Sequence, residues 1–250
     1  MAQYIRAVDS ILRQILSGVS SGDWIVSKGF EIMQKSAGPL SVVCFGDSLT
    51  WGFRPGPRTR YGHDLRWTRL LQQDLGDGFY VLEEGVNGRT TVFEDPVRGD
   101  KNGLAHLATV RKTHMPIDIL VIMLGTNDLQ SRFNMTAGVI GSAMSRLLEY
   151  ATRPTEDPEG KAPKVLLMSP PPLGDFEGSV LAPMFCEKSR AESESLKAVY
   201  AEIAQQYGVA FFDAGSVVSV SLVDSVHLDA EMQAPLAKAV AAEVRKLATV

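Results

Sequence analysis

Cysteine is almost missing from this chain: 250 residues hold only Cys44 and Cys186. Two thiols build no disulfide framework, and neither stands in the spacing of a metal-ligand motif. Cys44 lies in an apolar run, where a small buried hydrophobe is its expected role. Long apolar runs are missing too. No stretch approaches the roughly 18 residues a membrane helix requires. Near the N-terminus Arg6, Asp9 and Arg13 interrupt the apolar positions, so no signal-peptide core of about 7–15 residues forms. Export is not expected, and a reducing cytoplasm is. Excess charge of one sign is absent as well. A net charge of −4 gives no footprint for nucleic acid or an anionic membrane, and neither is expected as a partner. His, Asp, Glu and Cys converge nowhere in a ligand pattern, so no metal and no cofactor are expected.

What is present is ordinary globular composition, 45% hydrophobic and 22% charged, in a length that suits one well-buried domain. From residue 40 onward, short runs rich in β-branched residues alternate with segments of helical period. The runs are Ser41–Phe45, Phe79–Glu83, Ile117–Leu124, Lys164–Ser169 and Val209–Asp213. Helical segments lie near Leu65–Leu75, Leu104–Thr113, Ala137–Tyr150, Lys188–Tyr207 and Ala230–Leu247. "IDILVIMLG" is almost wholly apolar, as a central parallel strand covered on both faces must be. This rhythm predicts an α/β fold: a flavodoxin-like, three-layer, doubly wound sheet of about five parallel strands with right-handed crossovers. Two regions stand outside it. Residues 1–39 carry Ile5, Val8, Ile11, Leu12, Ile15, Leu16 and Val19 at helical spacing, which predicts an N-terminal helical extension ahead of the 40–250 domain. The polar segment 152–163 is expected to be a surface connection on the rim away from any site.

In a doubly wound sheet, ligands gather beyond the carboxyl ends of the strands. The first strand empties there into "CFGDSLTWG", residues 44–52. A serine at that place is a weak nucleophile until a base takes its proton, and the base needs a third group to orient it. The chain has four histidines, so the choice is short. His63, His106 and His114 are expected at the surface or in packing. His227 alone follows the fifth strand, with Asp224 three residues before it, close enough on a turn for the carboxylate to reach one imidazole nitrogen. Donors for a developing oxyanion are sought the same way. Gly88 follows Asn87 after the second strand, where a glycine lets a backbone N–H approach a ligand. Asn127 follows the third strand and offers a side-chain amide, while Asp128 beside it is expected to cap the next helix.

Taken together, "GDSLT", the Gly88 loop, "GTND" and "DSVH" resemble, in order, the four sequence blocks of the SGNH, or GDSL, hydrolases. The resemblance covers residues 40–250. More narrowly, "EEG", "RTT", "SPPPL" and "FFDAGSV" are similar to the small bacterial arylesterases, a branch that includes acyltransferases and perhydrolases. The resemblance implies Ser48 as nucleophile, His227 as general base and Asp224 as its orienting carboxylate. It implies an oxyanion hole from the Ser48 N–H, the Gly88 N–H and the Asn127 side chain. It places Leu49, Phe53 and Val226 beside the acyl group, although ordinary core packing accounts for each nearly as well. Homo-oligomers are common in that branch, so a homo-oligomer with residues 1–39 at or near a subunit contact is expected.

The implied reaction is hydrolysis of small, short-acyl esters through an acyl-enzyme, with alcohols or hydrogen peroxide as further acceptors. A carbohydrate O-deacetylase would use the same triad. A third reading, from a different class, is a non-catalytic phosphate- or nucleotide-binding module built on a strand–turn–helix. "GDSLTWG" lacks the lysine and the glycine density of a phosphate-binding loop, and such a module leaves Asp224 and His227 without a purpose.

Overall fold

The computed structural model of the chain describes residues 38–154 and 160–249. The helix expected within residues 1–39 falls outside the described residues, as does the middle of the 152–163 connection. The first strand, β1, spans Leu40–Gly46 and runs into a single helical turn, α1, at Ser48–Trp51. A small antiparallel hairpin follows, β2 (Phe53–Arg54) paired with β3 (Thr59–Arg60). Then come α2 (Trp67–Leu75), β4 (Phe79–Gly85), α3 (Gly103–His114) and β5 (Ile119–Met123). The chain finishes with α4 (Ala137–Ala151), β6 (Lys164–Ser169), α5 (Glu187–Tyr207), β7 (Ala210–Asp213) and α6 (Ala230–Thr249). The strands and helices expected from residue 40 onward are all found, with ends differing by at most two residues. α1 and the hairpin are additions, too short to leave a periodic trace in sequence.

The five long strands form one parallel sheet in the order β4-β1-β5-β6-β7. Successive side chains on a strand face opposite ways, and the two core layers follow from that. Val43, Phe45, Leu120 and Ile122 pack against Leu107 of α3, Ile140 and Met144 of α4, and Leu196 and Tyr200 of α5. Val42, Cys44, Ile119 and Val121 pack against Trp67 and Leu71 of α2 and Leu236 and Val240 of α6. The expectation for Cys44 agrees with this placement: it is fully buried, and burial pushes its thiol far above the ordinary range.

From β1 the chain goes outward to β4 and then returns past β1 to β5. The order therefore reverses between β1 and β5, where two neighbouring strand ends send their loops in opposite directions and open a crevice. Register sets the height of that crevice. Gly46 lies level with Gly85 of β4 and with Met123 of β5. The loops carrying Ser48, Gly88 and Asn127 thus leave the sheet from one line.

Gly46 is sterically required at that line. A Cβ there would meet Thr50 Oγ1 at 2.0 Å and the Met123 carbonyl at 2.9 Å. Gly46→Ala should therefore lose about 1–3 kcal/mol or more of stability in urea unfolding, the magnitude of an overpacked core. Gly138, exposed in α4, has only Thr136 Oγ1 at 3.9 Å near its added Cβ. Gly138→Ala should be neutral or gain up to about 1 kcal/mol. Equal effects at the two sites would contradict this picture of the strand end.

Candidate active site

Ser48 is placed by the residue before it. Asp47 follows β1 directly, and its Oδ1 accepts the Leu49 N–H at 2.9 Å, the N-cap bond that starts α1. The turn closes through the Gly52 N–H to the Ser48 carbonyl at 3.1 Å. Ser48 is thereby presented at the head of a rigid turn, its hydroxyl 2.8 Å from His227 Nε2. On the other side of the ring, His227 Nδ1 lies 2.7 Å from Asp224 Oδ2. An ionised carboxylate only accepts, so the hydrogen-bond pattern assigns the ring proton to Nδ1 and leaves Nε2 to accept from the serine hydroxyl.

Asp224 is almost fully buried, and burial alone would push its pKa up. The hydrogen bond and charge of His227 and the backbone N–H groups of His227 and Val226 outweigh that, so the carboxyl sits below its ordinary value. Both N–H bonds reach Asp224 Oδ1, at 2.9 Å and 3.0 Å. The turn is strained at Ser225, a non-glycine residue at φ 65°. Its neighbours hold it there. The Ser225 N–H donates to the Ser221 carbonyl at 2.9 Å, and the Gly174 N–H donates to the Ser225 carbonyl at 2.9 Å. The Ser225 hydroxyl donates to the Asp175 carbonyl, and the Ser179 hydroxyl donates to the Asp224 carbonyl at 2.8 Å. The long loop after β6 is therefore a brace for the Asp–His turn. On the outer side, the Phe53 ring stacks on the imidazole with centroids 4.1 Å apart. Phe53 is carried there by the hairpin, which is pinned by the Tyr61 hydroxyl donating to the Leu228 carbonyl at 3.2 Å.

The turn after β4 lies beside this centre. The Val86 N–H donates to the Gly46 carbonyl at 3.1 Å, the Arg89 N–H donates back to Val86, and Gly88 takes φ 81°. From β5 comes Asn127, oriented by Gln130 Nε2, which donates to its Oδ1 at 2.8 Å. That turns the amide nitrogen inward. Asn127 Nδ2 donates to the Arg89 carbonyl at 3.1 Å and, with a longer reach of 3.3 Å, to Asp47 Oδ2. Asp47 thus touches both the turn that carries Ser48 and the amide of Asn127. Burial raises its pKa to about 6, against the lowering effects of the Leu49 N–H and of His227.

The structure corrects the expectation for Asp128. No helix begins there; α4 is capped instead by Thr136, whose side chain accepts from the Val139 N–H. Asp128 is fully buried and accepts the Thr91 N–H at 3.0 Å and the Thr91 hydroxyl at 2.5 Å. It ties the β5 loop to the β4 loop. Leu49 and Val226, expected beside the acyl group, are buried in opposite core layers, and Phe53 is half-buried. His63 is exposed, while His106 pairs with Asp100 at 2.8 Å and His114 with Glu84 at 2.6 Å. Arg89 carries more than its sequence suggests. Buried under the strand ends, its Nη1 donates to the Gly46 carbonyl at 2.8 Å and to the Glu84 carbonyl, and burial lowers its pKa to about 10. Neither "GRTT" nor "GTND" announces burial of a charge, so composition had no signal for Arg89 or for the Asp128 tie. Among the described residues no cluster of three or more His, Cys, Asp or Glu is gathered to hold a metal, and no helix is long and apolar enough to cross a membrane.

Residues 44–234 match the model of the GDSL-like lipase/acylhydrolase family. Among solved structures, the fold is similar to the aryl esterase of M. smegmatis, with 39% identity, a TM-score of 0.78, and coverage of 83% of this chain and 99% of that one. It is similar likewise to Est24, a carbohydrate acetylesterase from Sinorhizobium meliloti, with 37% identity, a TM-score of 0.78 and the same coverage of both chains. An acetylxylan esterase of Xylanibacter ruminicola is 24% identical over 240 residues, which are 90% of this chain and 46% of that protein. The chain thus spans about half the length of that curated relative.

Asp128 gives a pH-dependent prediction. Burial raises its pKa from 3.8 to about 6, against the hydrogen bonds from Thr91. The folded state therefore holds this proton more tightly than the unfolded chain. Its contribution is present in full below the unfolded pKa and is lost as pH rises through about 6. Asp128→Asn cannot ionise. Between pH 4 and pH 7 the variant should gain on the wild type by on the order of 2–3 kcal/mol, read as a growing difference in melting temperature. A difference that stays flat, or shrinks as pH rises, would show that the Thr91 hydrogen bonds outweigh burial.

Proposed function

The chain belongs to the GDSL-like lipase/acylhydrolase family, and on that footing we propose that it is a serine esterase cleaving small, short-acyl esters through an acyl-enzyme on Ser48. One observation carries the reading: an unbroken relay, Ser48 hydroxyl to His227 at 2.8 Å and His227 to Asp224 at 2.7 Å. Ser48 Oγ attacks the ester carbonyl carbon as its proton passes to His227 Nε2. Asp224, held ionised, stabilises the imidazolium and fixes its orientation. The carbonyl oxygen takes up negative charge, met by the Ser48 and Gly88 N–H groups and by Asn127 Nδ2, whose long bond to Asp47 is the one that yields. Collapse breaks the ester C–O bond, and the alcohol leaves with the proton from Nε2. Water then attacks the acyl-enzyme by the same relay, releasing the carboxylic acid and restoring the Ser48 hydroxyl. An alcohol or hydrogen peroxide that reaches the acyl-enzyme first takes the acyl group in place of water.

A second reading, carbohydrate O-deacetylation, is supported by the names of two similar proteins, the Sinorhizobium meliloti carbohydrate acetylesterase and the Xylanibacter ruminicola acetylxylan esterase. Rates on p-nitrophenyl esters set against acetylated sugars separate the two. The proposal also includes assembly into a homo-oligomer, which light scattering tests directly.

Kinetics of single and double variants test the relay. Ser48→Ala and His227→Ala should each lower kcat by about 10⁴–10⁶, with the circular dichroism spectrum unchanged. The double variant should be scarcely worse than either, because the residues act as a unit. Multiplicative losses would contradict a shared nucleophile–base step. Asn127→Ala should lower kcat by about 10²–10³, the effect of one lost oxyanion donor. A loss confined to KM would assign Asn127 to ground-state binding.

A further inference from the structure

The loop between β4 and α3 carries two cations to a place that the relay does not explain. Its path is fixed by Asp95, which is buried. Asp95 Oδ1 accepts the N–H groups of Val97 at 2.9 Å and Arg98 at 3.2 Å, and its Oδ2 accepts from Arg132 Nη2 at 2.6 Å. The Gly99 N–H closes the turn onto the Asp95 carbonyl at 2.8 Å. The loop then returns to the β4 turn, where the Thr90 N–H donates to the Lys101 carbonyl at 2.9 Å and the Thr90 hydroxyl donates to the Phe93 carbonyl at 2.6 Å. Held at both points, the loop brings Arg98 and Lys101 over Gly88. A Cβ added at Gly88 would lie 3.0 Å from Arg98 Nη1 and 3.6 Å from Lys101 Cδ and Cε.

Among the described residues no acid is hydrogen-bonded to either cation, although after His106 the Lys101 charge also helps lower the Asp100 carboxyl. The polar contact of the Arg98 guanidinium is Nη2 to the Met184 sulfur at 3.7 Å, a weak acceptor. Among the described residues neither Arg98 nor Lys101 forms an ion pair. The acids close by in the chain are turned to other partners: Glu84 to His114 at 2.6 Å, Asp95 to Arg132 at 2.6 Å, and Asp100 to His106 at 2.8 Å. Glu94 accepts from Asn102 Nδ2 at 2.9 Å. A guanidinium presents a planar fork of donors that matches a carboxylate, and an adjacent ammonium adds to the local positive field.

We propose that Arg98 and Lys101 form a cationic clamp above the Gly88 turn that selects esters bearing a carboxylate near the scissile carbonyl. This rests on the serine-esterase reading, in which Gly88 is an oxyanion donor. The clamp holds a fixed substrate charge rather than the transient oxyanion. Its contribution therefore differs between anionic and neutral esters of the same size. It also weakens with salt, because Arg98 is exposed.

Matched ester pairs test the clamp. On the acyl side, p-nitrophenyl hemisuccinate is compared with p-nitrophenyl butyrate; on the alcohol side, 4-acetoxybenzoate is compared with phenyl acetate. The ratio of kcat/KM, anionic over neutral, should fall about tenfold in Arg98→Gln for at least one pair, the weight of one partly solvated charge-assisted hydrogen bond. It should fall further in the double variant with Lys101→Gln, be largely restored in Arg98→Lys, and decline in the wild type as sodium chloride is raised. The pair that responds identifies the side of the ester that carries the charge. Equal losses on both members of each pair would overturn the clamp and make Arg98 a stabiliser of the oxyanion itself. An unchanged ratio in both pairs would also overturn it. Failure of the wild type on all four esters would sink the esterase reading instead, and the two failures are thus distinguishable.

Discussion

A carboxylate taken out of water must be repaid in hydrogen bonds, and Asp224 is the group on which the rest of the site depends. Its two oxygens accept three bonds, from the backbone N–H groups of Val226 and His227 and from His227 Nδ1. Those bonds hold the acid ionised, the ionised acid fixes the imidazole tautomer, and the tautomer leaves Nε2 facing the Ser48 hydroxyl. The geometry needs a tight turn with Ser225 in a left-handed conformation, which an isolated loop would not hold. Hence the brace after β6, the hairpin that sets Phe53 against the ring, and the pinning bonds from Ser179 and Tyr61. Each reads as local detail alone; together they keep one imidazole still.

The other half of the crevice depends on register. Parallel pairing sets Gly46, Gly85 and Met123 level, and loops of different length then reach a common point. The cost of burying so many polar groups at the strand ends is visible in the raised acids Asp47 and Asp128 and in the lowered Arg89. These residues bond to loop backbones and to one another's neighbours. They hold the three strand-end loops in fixed relation, which is the preorganisation an oxyanion site needs.

Much of this was legible in sequence, for identifiable reasons. Buried parallel strands must be apolar on both faces, so "IDILVIMLG" declared itself, and the alternation with helical segments followed. His227 stood out among four histidines by its place after the fifth strand, the resemblance to the SGNH blocks implied roles for Ser48, Asp224 and His227, and the structure brings the three within hydrogen-bond reach. Where reading failed, the interaction was long-range. Asp128 looked like a cap because aspartate usually is one, yet its partner Thr91 lies on another loop. Arg89 sits in a polar stretch that gives no hint of burial, and two-residue strands such as β2 and β3 leave no period to detect. The placement of Arg98 above Gly88 depends on how the Asp95 turn folds back, which spacing alone does not encode.

The central claim is that Ser48 is made nucleophilic by His227, and covalent labelling measures that most directly. A fluorophosphonate reacts with an activated serine by losing fluoride and leaving the phosphonyl group on the hydroxyl oxygen. Intact mass followed by peptide mapping should show one phosphonyl group per chain, on the peptide holding Ser48, and its rate of attachment should collapse in His227→Ala. A label on another residue, no label at all, or labelling of Ser48 at an undiminished rate without His227 would contradict the account.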